Sequence, residues 1–299
     1  TKVGGPSRKY MRGGENSFDI KTIKTTGDIH NTQRLDIMGG KGLFTKEIEE
    51  HIIMDEIDIG IHSMKDVPAV SNRNALEIIC WMKRFTNNDV LLTNSGKSFF
   101  DLPGGSIIGT SSIRRRAQIL NLRKDLEIKL LRGNVDTRIK KLKNNEYDAI
   151  ILSHAGIQRL GLESEITEIL DLENFLPAAC QGVIGIQANI KSDYKNLFKD
   201  INDGTTEIEC LSERRVLKNI NANCNSPVSV FAQVQDDQLK IKSEIHDHSG
   251  NKIFTDCTIG SKNSYHNLAD SIAAQILNTV GEEEIKKLEI IKDDFNYSP

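Results

Sequence analysis

The heptapeptide His62-Ser63-Met64-Lys65-Asp66-Val67-Pro68 places a cation and an acid side by side, directly after the alternating run Ile57-Asp58-Ile59-Gly60-Ile61. Apolar residues at every second position read as a half-buried strand, and Pro68 forbids continuing it. Lys65 and Asp66 are therefore expected on a loop just past a strand's carboxyl end. In open α/β sheets ligands bind at such ends. Held there, the two residues form an acid and cation pair facing a small polar substrate. For the dipeptide alone, a solvated turn with an incidental ion pair is the plainer alternative.

A second group of residues suits an anion. Gly109-Thr110-Ser111-Ser112-Ile113-Arg114-Arg115-Arg116 sets small hydroxyl residues between a predicted strand and a predicted helix. The helix amino end offers unpaired N–H groups and partial positive charge, and arginines add planar forks matched to carboxylate or phosphate. The alternative is a serine N-cap followed by a solvated basic turn. Leu131-Arg132-Gly133-Asn134-Val135-Asp136-Thr137-Arg138 repeats the arrangement one unit later, with Arg132 at a strand end and Arg138 on the next helix. Two adjacent strand ends bearing arginines then face one crevice, although Asp136 and Glu146 also offer Arg138 a surface salt bridge. Ala222-Asn223-Cys224-Asn225-Ser226-Pro227 puts a cysteine on a turn among polar residues, which keeps a chemical role open. Cys80, on an apolar strand, reads as core.

These residues need elements to hold them. A strand is expected over 18–24, then a polar turn at Thr25-Thr26-Gly27-Asp28, then an aperiodic segment hinged on Gly39-Gly40-Lys41-Gly42. A helix over 44–56 presents Ile48 and Ile52 on one face, and strands follow at 57–61, 77–81 and 89–93. From 106 the rhythm is strand (106–109), helix (112–121), strand (127–131), helix (135–144), strand (149–152) and helix (155–162). Such alternation implies a parallel sheet with right-handed crossovers. The stretches 83–88 and 177–185 read as two crossings between domains. Strands at 228–235, 238–246 and 253–259 form an antiparallel meander, and a helix over 265–280 stops at Gly281.

Composition narrows the function. Among 299 residues, 38% hydrophobic and 27% charged content is ordinary for a globular protein, and the length allows two or three domains. No stretch approaches a membrane span, and the amino end lacks a signal-peptide core, so a cytoplasmic protein without a membrane partner is expected. The five cysteines include no Cys-x-x-Cys pair, and His246 and His248 are the only neighbouring histidines. No disulfide framework and no metal site is expected. Net charge of −3 gives no field drawing in nucleic acid, so the partner is a compact anion.

Together the stretches IKTTGD (23–28), GGKGLFTKEIE (39–49), HSMKDVP (62–68), GTSSIRR (109–115), LRGNVDTR (131–138), YDAIILSHAGIQRLGL (147–162), LPAACQG (176–182) and the cysteine turn resemble the hydroxymethylbilane synthase family, also called porphobilinogen deaminases. The resemblance implies two periplasmic-binding-protein-like α/β domains and a smaller C-terminal α+β domain with a three-stranded antiparallel sheet. Domain 1 would comprise 1–82 and 183–200, domain 2 residues 88–176, and domain 3 residues 204–299. It implies a monomeric transferase that condenses four porphobilinogens head to tail into a linear tetrapyrrole, releasing ammonia. A covalent dipyrromethane cofactor on Cys224 would prime the chain. Asp66 matches the catalytic carboxylate, which holds pyrrole N–H groups and stabilises a cationic azafulvene. Lys65, Thr110, Ser112, Arg114, Arg115, Arg132 and Gln181 match cofactor-binding positions. Arg138, Arg159, Lys41 and Phe44 match positions facing substrate.

The amino end differs from the family pattern. An Arg-x-Ser-Pro-Leu-Ala-like stretch is usual there, and Pro6-Ser7-Arg8 does not fit it, so a shortened or altered start is expected. Cys180 and Gln187 stand where glycine and glutamate are common. The rival reading is a non-catalytic two-lobed protein binding a small carboxylated or phosphorylated ligand, or an inactive remnant; it gives Cys224 and Asp66 no role.

Overall fold

A computed structural model describes residues 19–23, 25, 42, 45–70, 73–222 and 226–289. Lys41, Phe44, Cys224 and all of the expected glycine-hinged segment but Gly42 lie outside the described residues, as does Pro6-Ser7-Arg8. Residues 19–23 are described and lie in no strand, contrary to the expectation over 18–24. Ile20 is 88% exposed, so the apolar alternation there has no sheet to pack on.

The chain runs through α1 (Lys46–Ile53), β1 (Ile59–Ser63), β2 (Leu76–Trp81), β3 (Asp89–Thr93), β4 (Ile107–Thr110), α2 (Ile113–Leu122) and β5 (Glu127–Leu130). It continues with α3 (Val135–Lys143), β6 (Ala149–Ser153), α4 (His154–Arg159), β7 (Glu168–Ile169), β8 (Ile184–Asn189) and α5 (Gly204–Asn219). The last part is β9 (Val228–Gln235), β10 (Gln238–His246), β11 (Lys252–Ser261), α6 (Tyr265–Thr279) and α7 (Glu282–Leu288). The described residues form three sheets, in the orders β1-β8-β2, β5-β4-β6-β3-β7 and β11-β10-β9.

The first sheet closes the first α/β lobe with a strand from late in the chain. β8 runs antiparallel to both β1 and β2, from Ile59 opposite Ala188 to Ser63 opposite Ile184. That ladder starts β1 two residues later than the alternation alone suggests. α1 is shorter than expected; it ends at Met54, and Asp55 turns away with φ of 54°.

In the second lobe β4 is parallel to β5 and β6, as strand and helix alternation requires. β3, which precedes that alternation, runs antiparallel to β6 and β7. It is reached through the crossing at 83–88 and not through a helix, so the crossover rule does not govern it. Both faces of this sheet are covered: Leu91, Ile108 and Ile151 pack with Phe99 and Phe175 on one, Val90, Leu92, Ile150 and Leu152 with Ile157 on the other. This explains why its strands are apolar runs. The third sheet is an antiparallel meander packed with α5 and α6 around Val230, Ile241, Ile272 and Ile276. Among the described residues no helix is long and apolar enough to cross a membrane.

Candidate functional site

Lys65 and Asp66 sit on a single 3₁₀ turn, Met64–Asp66, at the carboxyl end of β1. Met64 anchors it: its side chain is buried with Val67, Trp81, Cys180 and Val183, and its amide donates to Val183 O at 3.0 Å. From α5, Arg214 holds the far end, donating to Val67 O at 2.8 Å and Pro68 O at 2.7 Å. With Met64 and Val67 buried inward, Lys65 is left half-buried and Asp66 exposed. Neither side chain makes a hydrogen bond among the described residues.

Protein atoms crowd the Asp66 carboxyl although solvent still reaches it. Desolvation raises its pKa, opposed by the charges of Lys65 and Arg138. Desolvation likewise lowers Lys65 to about 8, opposed by Asp66. Arg138 is pushed down to about 10, first by burial and then by the nearby charges of Arg115 and Arg132. Its Nε donates to Gly133 O at 2.7 Å, which leaves the remaining guanidinium edge for a ligand. Gly133 makes this turn with φ of 113°, a conformation that favours glycine.

Asp89, the first residue of β3, is fully buried and draws the arginine pair inward. Arg114 Nη2 and Arg115 Nη2 donate to its two oxygens at 2.8 and 2.7 Å, and Gln181 Nε2 donates to one of them at 2.9 Å. Arg114 also donates to Gln118 and Leu176 O, and Arg115 to Ile151 O. Burial alone would raise the Asp89 pKa, but the two guanidiniums hold it well below the usual carboxylate range. The expected outward forks are thus occupied in binding the protein to itself. Arg115 still acts on Lys65 and Arg138 through its charge.

The hydroxyls at the start of α2 hold the loop. Thr110 Oγ1 accepts from the Ser112 amide at 3.2 Å, and Ser112 caps the helix by accepting from the Arg115 amide at 3.4 Å. Arg132 is half-buried beside Arg138. Gln181 Nε2 reaches Asn87 O and Asn88 O, tying the two crossings together. Arg159 stands apart, donating to Gly182 O at 3.1 Å.

Reading by motif missed Asp89, Arg84 and Arg214. An acid opening an apolar strand requires a buried cation, and that signal was present at Asp89. Arg84 is bound by Glu209 at 3.1 Å and Glu213 at 3.0 Å, and also donates to Gln181 O. Cys180, Cys210 and Glu213 form the one group among the described residues whose ligand atoms lie within 4.8 Å of each other. It is not built for a metal: Glu213 already accepts from Arg84, Ala232 N–H and Cys180 N–H, and burial pushes the Cys210 thiol up. Cys180 has φ of 59°, which accounts for glycine being common there.

A family model described as the dipyrromethane cofactor-binding domain of porphobilinogen deaminase matches residues 7–196, and one described as its C-terminal domain matches residues 207–278. Porphobilinogen deaminase from Campylobacter jejuni is 38% identical over 272 residues, spanning 90% of this chain and 88% of that protein. The protein of the same name from Halalkalibacterium halodurans is 42% identical over 246 residues, spanning 81% and 79%. Among solved structures, a periplasmic sulfonate-binding protein from Methylobacillus flagellatus aligns over 56% of this chain and 52% of its own, at 17% identity and a TM-score of 0.31. The two matched domains cover the Lys65–Asp66 turn, both arginine-bearing strand ends and most of the third sheet, and the chain belongs to the porphobilinogen deaminase family.

Proposed function

We propose that this chain is a hydroxymethylbilane synthase, joining four porphobilinogens head to tail with loss of four ammonia molecules, and that Asp66 is its catalytic residue. The observation that carries this reading is an acid and a lysine, whose side chains have no hydrogen-bond partners among the described residues, on a turn beside Arg138. We read the first α/β lobe with β8, the second lobe over 88–176 and the α+β unit from 204 as three domains.

The residues fit a dipyrromethane. Its acetate and propionate groups need cations with unspent donors, which Lys65 and Arg138 offer, and its pyrrole N–H groups need an acceptor, which Asp66 offers. Cys224 would hold it through a thioether. When bound, it supplies the pyrrole carbon to which the first unit is joined.

Porphobilinogen loses its aminomethyl nitrogen as ammonia, and positive charge spreads over the pyrrole as the C–N bond breaks. Asp66 as an anion stabilises that charge, and the interaction strengthens as bound substrate displaces water from the turn. Its raised pKa also brings its proton nearer to use, so the carboxyl can protonate the leaving nitrogen and later take the proton displaced from the attacked carbon. Lys65 and Arg138 orient the substrate carboxylates.

Intact mass spectrometry of the purified protein tests the reading. A dipyrromethane adduct is expected, absent in Cys224→Ser, together with tetrapyrrole formation from porphobilinogen. An unmodified chain that binds porphobilinogen without consuming it would establish the binding-protein alternative.

A further inference from the structure

The crossing at 83–88 carries a side chain that neither lobe absorbs: Phe85 is 53% exposed. A single exposed apolar residue is ordinary, but this ring is engaged. The Arg159 guanidinium carbon lies 5.5 Å from its centroid, within cation–π range. Ring and guanidinium are pinned to one atom, since Gly182 O accepts both the Phe85 amide at 3.0 Å and Arg159 Nη2 at 3.1 Å. Gly182 admits no side chain there. Its φ is +86°, and a Cβ would lie 2.3 Å from Thr86 O.

The next carbonyl, Val183 O, accepts the Met64 amide at the start of the turn that carries Asp66. The Phe85 and Arg159 pair is therefore attached to the same short stretch of backbone as the catalytic turn. The Arg159 side chain makes no other hydrogen bond among the described residues, and burial depresses its pKa. A partly desolvated guanidinium with unspent donors, lying on an apolar ring, suits a ligand with a carboxylate and a flat face.

We propose that Phe85 is a positioning residue for polypyrrole binding: its ring holds the Arg159 guanidinium so that its free edge meets a carboxylate of the growing chain, whose pyrrole packs on the exposed part of the ring. This rests on the synthase reading. The contact is made alike by bound substrate and by the transition state, so its loss raises KM and leaves kcat little changed.

The test measures porphobilinogen turnover, thermal midpoint and the masses of enzyme-bound intermediates for Phe85→Ala, Phe85→Leu and Phe85→Tyr. Phe85→Ala and Phe85→Leu are expected to raise KM about three- to thirtyfold, the strength of a cation–π contact, with an unchanged midpoint. Phe85→Tyr keeps the π face and restores KM. In an Arg159→Lys background Phe85→Ala should add less than it does alone, because the two act as a unit. A normal KM in Phe85→Ala, or a KM restored by Phe85→Leu, overturns the positioning role and leaves the synthase reading standing. An unsubstituted protein without adduct or turnover overturns both.

Discussion

The turn carrying Lys65 and Asp66 and the strand start carrying Asp89 hold the same chemistry, an acid among cations, and put it to opposite uses. Asp89 is met by two guanidiniums and an amide, each at 2.7 to 2.9 Å, and its pKa is held down. Asp66 has cations nearby, yet neither its carboxyl nor Lys65 is bonded among the described residues; its pKa is pushed up and that of Lys65 down to about 8. Saturated partners make a charge structural. Unsatisfied partners on an exposed turn keep it available to a ligand.

The strongest way to break this contrast is at Asp89. Removing it leaves Arg114 and Arg115 buried without a counter-charge, so Asp89→Ala is expected to lose about 3–5 kcal/mol of stability in denaturant unfolding. Asp66→Asn should barely move the same curve and lower kcat by about a hundredfold or more. A variant pair in which Asp89 leaves stability intact, or Asp66 costs it, would reverse the roles assigned to the two acids.

Smaller effects appear in pH dependence. The folded pKa of Asp89 lies below its ordinary value of 3.8, so its contribution to stability is present above that value and lost as pH falls towards the folded one. Asp89→Asn should remove that part of the acid-unfolding profile. Lys65 carries its charge below about 8 and loses it as pH rises through that value, so KM for porphobilinogen should climb on the alkaline side. In Lys65→Arg the climb should vanish, because a guanidinium stays protonated there.

Much of the fold is legible in the sequence because its signals are local. β9 and β10 match the expected 228–235 and 238–246, and α6 covers 265–279, since alternation, turn residues and four-residue apolar steps are written within each segment. β1 was displaced by two residues because its limits come from β8, a strand distant in the chain. The antiparallel course of β3 was not legible for a related reason: it depends on how the chain enters the second lobe and not on any pattern within residues 89–93.

The motif residues were legible as types and not as orientations. Arg114 and Arg115 stand next to Ser112 as a phosphate or carboxylate site would require, yet both turn towards an acid from another strand. Arg214, which holds the carbonyls behind Asp66, gave no local sign because its targets are backbone atoms of Val67 and Pro68.

The sequence by itself determined which acid and cation share a turn at a strand's end, because a period-two run broken by proline dictates that placement. It also determined family membership, through motifs spread along most of the chain. Tertiary structure alone decided which charges remain available, because hydrogen-bond saturation and desolvation depend on residues brought together from distant segments: Asp89 beside Arg114 and Arg115, Arg138 beside Asp66, and Phe85 beneath Arg159.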